Sequence, residues 1–288
     1  MNVFLFVNPL SGRYDPGRIA SIVNGFKGYG LQPTLCEVRT PRDVPAYCHT
    51  IHAAVDTPLV IIAAGDGTVN AVINNLLPGR ATVAVLPLGT SNVLAAEIGI
   101  CSVEDGIKRI IAGRTRSLPV GLLELENVSH RFLLMAGIGI DGAVVRDVRP
   151  FAKRHLKQGA YALSAGHGAL NWDHTLITLC TPEKSLTCHS VVVCAASRYG
   201  GNFILAPECD LFSPVFTIVC VQNVRRRDYL RLAINLFSGR VDTNHDLFRI
   251  QAREAEILGR KPIQIDGDFV GYSPARLRMV ADFAHIIV

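Results

Sequence analysis

Glycine, threonine and asparagine residues surround a single aspartate in residues 64–70, directly after an apolar run. Gly65 and Gly67 flank Asp66, and we expect Thr68 to cap the helix that follows. Such a loop presents backbone N–H groups and the positive end of a helix dipole to an anion. An aspartate repels phosphate unless a divalent cation joins them, which makes Asp66 a candidate Mg²⁺ ligand. The alternative is an ordinary turn between a strand and a helix. The candidate phosphate-binding residues here are Ala64, Gly65, Asp66, Gly67, Thr68 and Asn70.

Two more segments of similar composition follow apolar runs. In residues 8–12, Ser11 and Gly12 offer donors to a phosphate, and Asn8 is placed to fix the loop. The other segment supplies Gly89, Thr90 and Asn92. Each segment alone is a weak turn signal. Together, past the ends of three predicted strands, they predict one anion-binding crevice.

The elements that must position these loops alternate between strand and helix. We predict strands at residues 3–7, 34–38, 59–63 and 81–86, and helices at residues 17–26, 44–55 and 69–77. Continuous apolar strands between helices indicate a doubly wound parallel sheet with both faces covered. Ligands of such sheets bind beyond the carboxyl ends of the strands. The sequence contains neither a P-loop nor a G-x-G-x-x-G motif after a strand, which disfavours P-loop kinases and dinucleotide oxidoreductases.

The pattern of predicted secondary structure changes after Pro119, where long helices become rare. The pattern predicts a mostly antiparallel sandwich, interrupted by helical stretches at residues 153–170 and 227–237. The predicted strands are residues 121–126, 131–136, 176–180, 189–195, 215–221, 247–252, 256–258 and 263–265. The chain is therefore predicted to be an α/β domain followed by a β domain.

The composition is 49% hydrophobic and 18% charged, which excludes a disordered chain. No apolar run approaches the ~20 residues that a membrane span needs. The N-terminus lacks a basic leader, so we expect a reducing, cytoplasmic location. The eight cysteines show no C-x-x-C spacing, so neither a zinc site nor a redox motif is predicted.

A formal net charge of +5 is too small to indicate nucleic-acid binding. Two basic clusters, residues 149–157 and residues 225–231, are candidates for contact with an anionic lipid surface. The second overlaps an amphipathic stretch, 227–237, on which Leu230, Ile234 and Phe237 share one face. The alternatives are solvated helix faces for the clusters, and a helix packed on the sandwich for the amphipathic stretch.

The order of motifs resembles the diacylglycerol kinase catalytic-domain family, which includes soluble bacterial lipid kinases and is related to sphingosine and ceramide kinases. The resemblance spans nearly the whole chain. The motifs that carry it are Asn8-Pro9-x-Ser11-Gly12, Gly65-Asp66-Gly67-Thr68, Pro87-x-Gly89-Thr90-x-Asn92, Gly137-Ile138-Gly139-Ile140-Asp141, Tyr199-Gly200-Gly201, Ala206-Pro207 and Gln264-Ile265-Asp266-Gly267-Asp268.

This resemblance implies ATP- and Mg²⁺-dependent phosphorylation of a lipid hydroxyl, in a cleft between a nucleotide-binding domain and a β-sandwich. The expected domains are residues 1–120 with a C-terminal return at 277–288, and residues 121–276. Thr40, the 64–70 loop and Thr90 are expected to contact ATP, and Asp268 to be the general base. The expected partners are a lipid substrate and a membrane surface bound peripherally, with a homodimer as one option for the assembly.

The sequence departs from the family pattern at four places. Ala64 replaces the first glycine of the Gly-Gly-Asp-Gly-Thr motif, and Val93 replaces the aspartate after Asn92. Asp268 replaces a glutamate and is about one methylene shorter. Ser213 stands where bacterial relatives carry an Asp-Gly pair after Ala-Pro, which leaves a structural magnesium site there in doubt. Two alternatives therefore stay open: a catalytically degenerate relative that binds nucleotide or lipid, and a small-molecule kinase of the NAD-kinase type.

Overall fold

The computed structural model describes residues 2–147, 173–201, 203–222, 224–237 and 247–288. The predicted helix at residues 153–170 and the basic cluster at residues 149–157 lie outside this part of the chain. The chain divides into two compact units. The first comprises Met1–Val120, Gly200–Asn202 and Val280–Val288, and the second comprises Gly121–Tyr199 and Phe203–Met279.

The first unit contains a parallel sheet in the order β2 (Pro33–Glu37), β1 (Val3–Val7), β3 (Leu59–Ala64) and β4 (Thr82–Pro87), extended at β4 by the end of the last strand, β18 (Ala275–Ile287). Every residue of β1 and β3 is buried, as expected for central strands with helices on both faces. The helices are α1 (Pro16–Gly28), α2 (Val44–His52), α3 (Asp66–Asn75), α4 (Val93–Glu97) and α5 (Val103–Ala112), with a 3₁₀ turn at Pro41–Asp43.

Helix α3 begins earlier than the sequence pattern predicts. It starts at Asp66 instead of residue 69, because the extended Gly65 (φ −94°, ψ 173°) is already the N-cap. The predicted capping role of Thr68 is therefore wrong. Thr68 lies inside the first turn, and the N-cap residue Gly65 has no side chain that could cap the helix.

The second unit is a sandwich of antiparallel strands. One sheet consists of Leu247–Ala252, Phe216–Val221, Ser190–Cys194, Met135–Ile138, Pro262–Ile265 and Asp268–Tyr272, in this spatial order. The other contains Ser185–Cys188, Ile177–Cys180, Glu254–Leu258, the start of β18, and the hairpin of Thr115–Glu124 and Ser129–Phe132. Buried residues from both sheets, among them Phe132, Val193 and Ile257, form one core cluster. The predicted order of an α/β domain and an antiparallel sandwich is confirmed.

The remaining elements complete the described part of the chain. The strands are β5 (Thr115–Glu124), β6 (Ser129–Phe132), β7 (Met135–Ile138), β8 (Ile177–Cys180), β9 (Ser185–Cys188), β10 (Ser190–Cys194), β11 (Arg198–Tyr199), β12 (Phe203–Ile204), β13 (Phe216–Val221), β14 (Leu247–Ala252), β15 (Glu254–Leu258), β16 (Pro262–Ile265), β17 (Asp268–Tyr272) and β18 (Ala275–Ile287). The helices are α6 (Ile140–Asp147) and α7 (Arg226–Phe237). In the described residues, no helix is both long and apolar enough to cross a bilayer.

Candidate functional site

The four parallel strands of the first unit end at one edge of their sheet. Strand β1 pairs in parallel with both β2 and β3, and β3 pairs in parallel with β4. Thr40 follows β2, the 8–12 segment follows β1, and the two remaining glycine-containing loops follow β3 and β4. All the nucleotide-binding residues predicted from the sequence therefore belong to one edge of one sheet.

The loop after β1 is tied to the other two loops. The Asn8 side-chain amide donates to Thr68 Oγ1 at 3.2 Å. The Arg13 N–H donates to the Leu88 carbonyl at 3.2 Å, which joins this loop to the one after β4. A Cβ added at Gly12 would lie 2.9 Å from Thr90 Oγ1. The three segments thus form one connected structure in which position 12 has little room for a side chain.

The loops after β3 and β4 touch through their glycine backbones. A Cβ added at Gly89 would lie 2.3 Å from the Gly65 Cα, closer than any real contact permits. Asn92 closes the second loop on itself, because its Oδ1 accepts from Gly89 N at 2.7 Å and its Nδ2 donates to Gly89 O at 3.0 Å. Asn92 has φ 50°, a left-handed conformation that asparagine tolerates better than most residues.

Asp66 joins the same two loops through its carboxylate. Its Oδ2 accepts from Val93 N at 3.1 Å, and its Oδ1 accepts from Leu94 N at 3.2 Å. These N–H groups begin α4 and have no partner within that helix. Asp66 therefore has a structural task that the sequence analysis did not foresee, beside its predicted role toward Mg²⁺.

The two departures nearest these loops are buried. Ala64 is 4% exposed and pairs with Pro87 in the β3–β4 register. Val93 is 6% exposed, and only its N–H is directed to Asp66. The contacts between the Gly65 and Gly89 loops form with Ala64 and Val93 in place, so neither departure disrupts them.

The other predicted residues of this edge have local partners. Thr40 N and Arg39 N donate to Asp43 Oδ2 at 2.8 and 2.9 Å, and these bonds lower the pKa of the Asp43 carboxyl. Ser11 N donates to Asn8 O at 2.9 Å and shapes the first loop. On the α3 helix, Asn70 accepts a bond from the Asn74 side chain through its backbone carbonyl at 3.0 Å. These bonds are contacts within the protein, and the contacts of Thr40, Ser11 and Asn70 with ATP stay predictions.

Asp268, the predicted general base, belongs to the second unit. It is the first residue of β17 and pairs with Ile265 across a two-residue turn, Asp266-Gly267. Both turn residues have positive φ, 46° and 91°, as a tight hairpin of the I′ type requires. Asp268 is exposed at the end of this hairpin. Its assignment as the base stays a prediction.

Asp266, two residues earlier, has a different environment. Its carboxylate accepts three backbone N–H groups, from Leu133 at 2.8 Å and from Leu134 and Met135 at 2.9 Å each. These bonds explain why the predicted strand at residues 131–136 is interrupted between β6 and β7. The N–H groups of the break bond to a side chain instead of a neighbouring strand.

A buried carboxylate, Asp141, has a role that the sequence pattern did not predict. Asp141 is 8% exposed and accepts hydrogen bonds from the Tyr199 hydroxyl and from Gln264 Nε2. Burial raises the pKa of this carboxyl, and the two donors oppose the rise. Gln264 Oε1 accepts from Gly267 N at 2.8 Å, so the network reaches the hairpin that carries Asp268. A polar Gln264 inside the apolar strand β16 was the available sequence signal.

The fourth departure lies in a simple turn. Ser213 N donates to Asp210 O at 2.9 Å, and Phe212 N donates to Asp210 Oδ1 at 3.0 Å. In the described residues, no group of three or more histidine, cysteine, aspartate or glutamate side chains is placed to hold a metal ion.

Comparisons with known proteins agree with this architecture. Residues 2–123 match the diacylglycerol kinase catalytic domain, and residues 135–288 match the YegS C-terminal NAD kinase beta sandwich-like domain. A diacylglycerol kinase of Bacillus subtilis (strain 168) is 24% identical over 294 residues, covering 99% of this chain and 95% of that protein. The resemblance inferred from the motifs is confirmed.

Solved structures show the same fold. The structure of a diacylglycerol kinase from Bacillus anthracis str. Sterne has a TM-score of 0.73 at 18% identity, covering 99% of this chain and 96% of the other. An NAD kinase from Archaeoglobus fulgidus, solved with ATP, has a TM-score of 0.56 at 12% identity, covering 100% of this chain and 94% of the other. The fold is thus shared with kinases of two substrate classes.

Proposed function

Because the chain belongs to the lipid-kinase family that joins a diacylglycerol kinase catalytic domain to a YegS-type C-terminal sandwich, we propose that it transfers the γ-phosphoryl group of ATP to a lipid hydroxyl. The observation that carries the proposal is the backbone contact between Gly65 and Gly89 at the carboxyl edge of the parallel sheet. Glycines at this contact bring two strand-to-helix loops together where a phosphate chain can approach backbone N–H groups. The start of α3, a ten-residue helix, adds its positive dipole end.

The residues at this edge fit Mg²⁺ that arrives with ATP. Each carboxylate oxygen of Asp66 accepts one hydrogen bond from an α4 amide. A carboxylate has about four acceptor positions, so Asp66 can also coordinate a metal ion. Mg²⁺ in kinases typically uses one or two carboxylates and completes its shell with phosphates and water. When bound, the ion would neutralise charge on the transferring phosphoryl group. Asp66→Asn should weaken ATP binding more in the presence of Mg²⁺ than in the presence of EDTA. An equal loss of ATP affinity under the two conditions would show that Asp66 is not a Mg²⁺ ligand.

The acceptor needs a base, and Asp268 is our candidate. The lipid hydroxyl would give its proton to the Asp268 carboxylate while its oxygen bonds to the γ-phosphorus. The bond from the γ-phosphorus to the bridging oxygen of ADP breaks in the same transfer, so the products are a phospholipid monoester and ADP. Exposure at the end of a hairpin supports this role, because the residue is accessible and its position is set by pairing with Ile265.

A phosphate-transfer assay with extracted lipids tests the proposal. The protein is incubated with γ-labelled ATP, Mg²⁺ and a total lipid extract, and the label is followed into organic and aqueous phases. Label in the organic phase is the expected result. Label in a water-soluble product would instead support the small-molecule kinase alternative, and ATP binding without any transfer would support a degenerate relative.

A further inference from the structure

Helix α7 in the second unit has two different faces. On one, Asp228 is 7% exposed, and Tyr229 and Leu232 pack against a buried cluster that includes Leu205 and Val219. On the other, Leu230 is 63% exposed and Ile234 is 58% exposed. The helix therefore packs on its unit while leaving one aliphatic pair open.

The inner face is anchored by polar contacts as well as apolar ones. The Tyr229 hydroxyl lies 2.7 Å from His189 Nδ1 and 2.8 Å from Ser190 Oγ, within hydrogen-bond distance of both. The rings of Tyr229 and His189 also pack edge to face, with their centroids 5.4 Å apart. These contacts fix the rotation of the helix about its axis, and this orientation keeps Leu230 and Ile234 at the surface.

Arginines flank the exposed aliphatic pair on both sides. At about 100° per residue, Arg226 lies about 40° to one side of Leu230, and Ile234 lies about 40° to the other. Arg227 and Arg231 lie beyond Ile234, at about 60° and about 100° from Leu230. All three arginines are exposed. Arg227 Nε lies 3.7 Å from Oδ1 of the buried Asp228, and the Arg227 side chain still remains 68% exposed.

We propose that this face of α7, consisting of Arg226, Arg227, Leu230, Arg231 and Ile234, docks on an anionic lipid bilayer. Aliphatic side chains in the centre can enter the acyl boundary while guanidinium groups at the sides remain with lipid phosphates. A second copy of this chain fits this face less well, because a two-fold symmetric dimer would place the arginines of the two copies next to each other, where they repel. Nucleic acid is also a poorer occupant, since Leu230 and Ile234 cannot stack on bases.

Vesicle co-sedimentation without ATP tests the docking surface independently of the transfer reaction. We expect the full chain to bind vesicles of phosphatidylcholine with phosphatidylserine, and to bind phosphatidylcholine alone much more weakly. Arg227→Gln with Arg231→Gln should weaken binding to the anionic vesicles about thirty-fold, from about five-fold per arginine near the surface. Leu230→Gln with Ile234→Gln should weaken it at least ten-fold.

The matched controls are substitutions elsewhere on the surface. Val55→Gln alters a side chain that is 99% exposed, and Arg276→Gln alters one that is 74% exposed. Both controls should bind vesicles like the unaltered chain. Equal binding by the Leu230/Ile234 variant, or binding independent of lipid charge, would overturn the proposal. So would a lower sedimentation coefficient of that variant in lipid-free buffer, since it would show that the face covers a second copy.

Activity separates this inference from the proposed function. With a short-chain diacylglycerol dispersed as monomers, the Leu230/Ile234 variant should match the unaltered chain, and with vesicle-borne acceptor it should be slower. If the unaltered chain transfers no phosphate to any lipid, the proposed function fails, while vesicle binding still decides the docking surface. Equal rates of variant and unaltered chain on both acceptors would count against docking through α7.

Discussion

Gly65 and Gly89, from two different loops, approach so closely that a Cβ on Gly89 would lie 2.3 Å from the Gly65 Cα. The reverse substitution is easier, because a Cβ on Gly65 would lie 3.2 Å from the Gly89 Cα. The contact is reinforced from both sides. Asn92 holds Gly89, and Asp66 holds the start of the helix after Asn92. Two loops that follow different strands thus meet at the predicted anion-binding edge of the sheet.

Replacing Gly89 with alanine should therefore separate the loops. We expect a loss of 1–3 kcal/mol in stability, roughly the cost of overpacking, and at least a ten-fold loss in ATP affinity. Thermal unfolding and ATP titration measure the two effects. Gly25→Ala is the control, because its Cβ meets nothing within 4 Å in helix α1 and should stabilise the protein by about 0.5–1 kcal/mol. Unchanged ATP affinity in Gly89→Ala would show that the loops do not bind phosphate.

Asp268→Asn should reduce turnover by about 10²–10⁴-fold, the usual contribution of a general base, and leave ATP binding unchanged. The hairpin itself should persist, because Asp266 and Gly267 form the turn. Asp268→Glu restores the family's residue and should retain activity. Steady-state kinetics with a lipid acceptor measure all three proteins. Full activity of the asparagine variant would show that another group takes the proton.

Asp266→Asn should behave differently from Asp268→Asn, although only one residue separates them. Its carboxylate accepts the N–H groups of Leu133, Leu134 and Met135, and bonds to a charged acceptor contribute about 1.5–3 kcal/mol each. We expect a clear decrease in the urea midpoint, whatever the effect on turnover. A midpoint equal to that of Asp268→Asn would contradict the structural role of Asp266.

Asp141 should make stability depend on pH. Burial raises the pKa of its carboxyl in the folded protein, so the fold favours the protonated form. Its contribution is full below the unfolded pKa and is lost as the pH rises through the folded pKa. Asp141→Asn, neutral at every pH, should remove this decline. The altered contact between the substituted side chain and Gln264 should lower the stability equally at every pH. The change of the urea midpoint with pH is therefore the quantity to compare. Urea midpoints from about pH 4 to about pH 8 measure it, and parallel profiles would refute the prediction.

Tyr229→Phe should loosen helix α7. It removes the hydroxyl that lies beside His189 and Ser190, and buried polar groups without partners cost about 1–3 kcal/mol. Tyr47→Phe is the control, because that hydroxyl bonds only to Glu37 O at 3.3 Å in an exposed position. We expect trypsin to cut the Tyr229 variant faster after the arginines of α7. Equal cleavage of the two variants would show that the hydroxyl does not hold the helix.

The sequence by itself determined much of this protein. Glycine, threonine and asparagine after apolar runs located the loops at residues 8–12, 64–70 and 89–92, because phosphate-binding turns need small residues and exposed N–H groups. Strand and helix alternation predicted the α/β domain, and the change after Pro119 predicted the sandwich. These signals are local in the chain, which explains why sequence analysis could recover them.

Only the tertiary structure decided how individual polar groups are used. Asp66 reaches Val93 across 27 positions of sequence, and Asp266 reaches Leu133 across 133. Asp141 and Gln264 meet across 123 positions in a buried site. Side chains with such partners look identical in sequence to free ligands or turn residues, because the choice of hydrogen-bond partner depends on which strands fold next to each other. For α7, the sequence placed Leu230 and Ile234 on one face, and only the packing of the helix decided that this face is exposed.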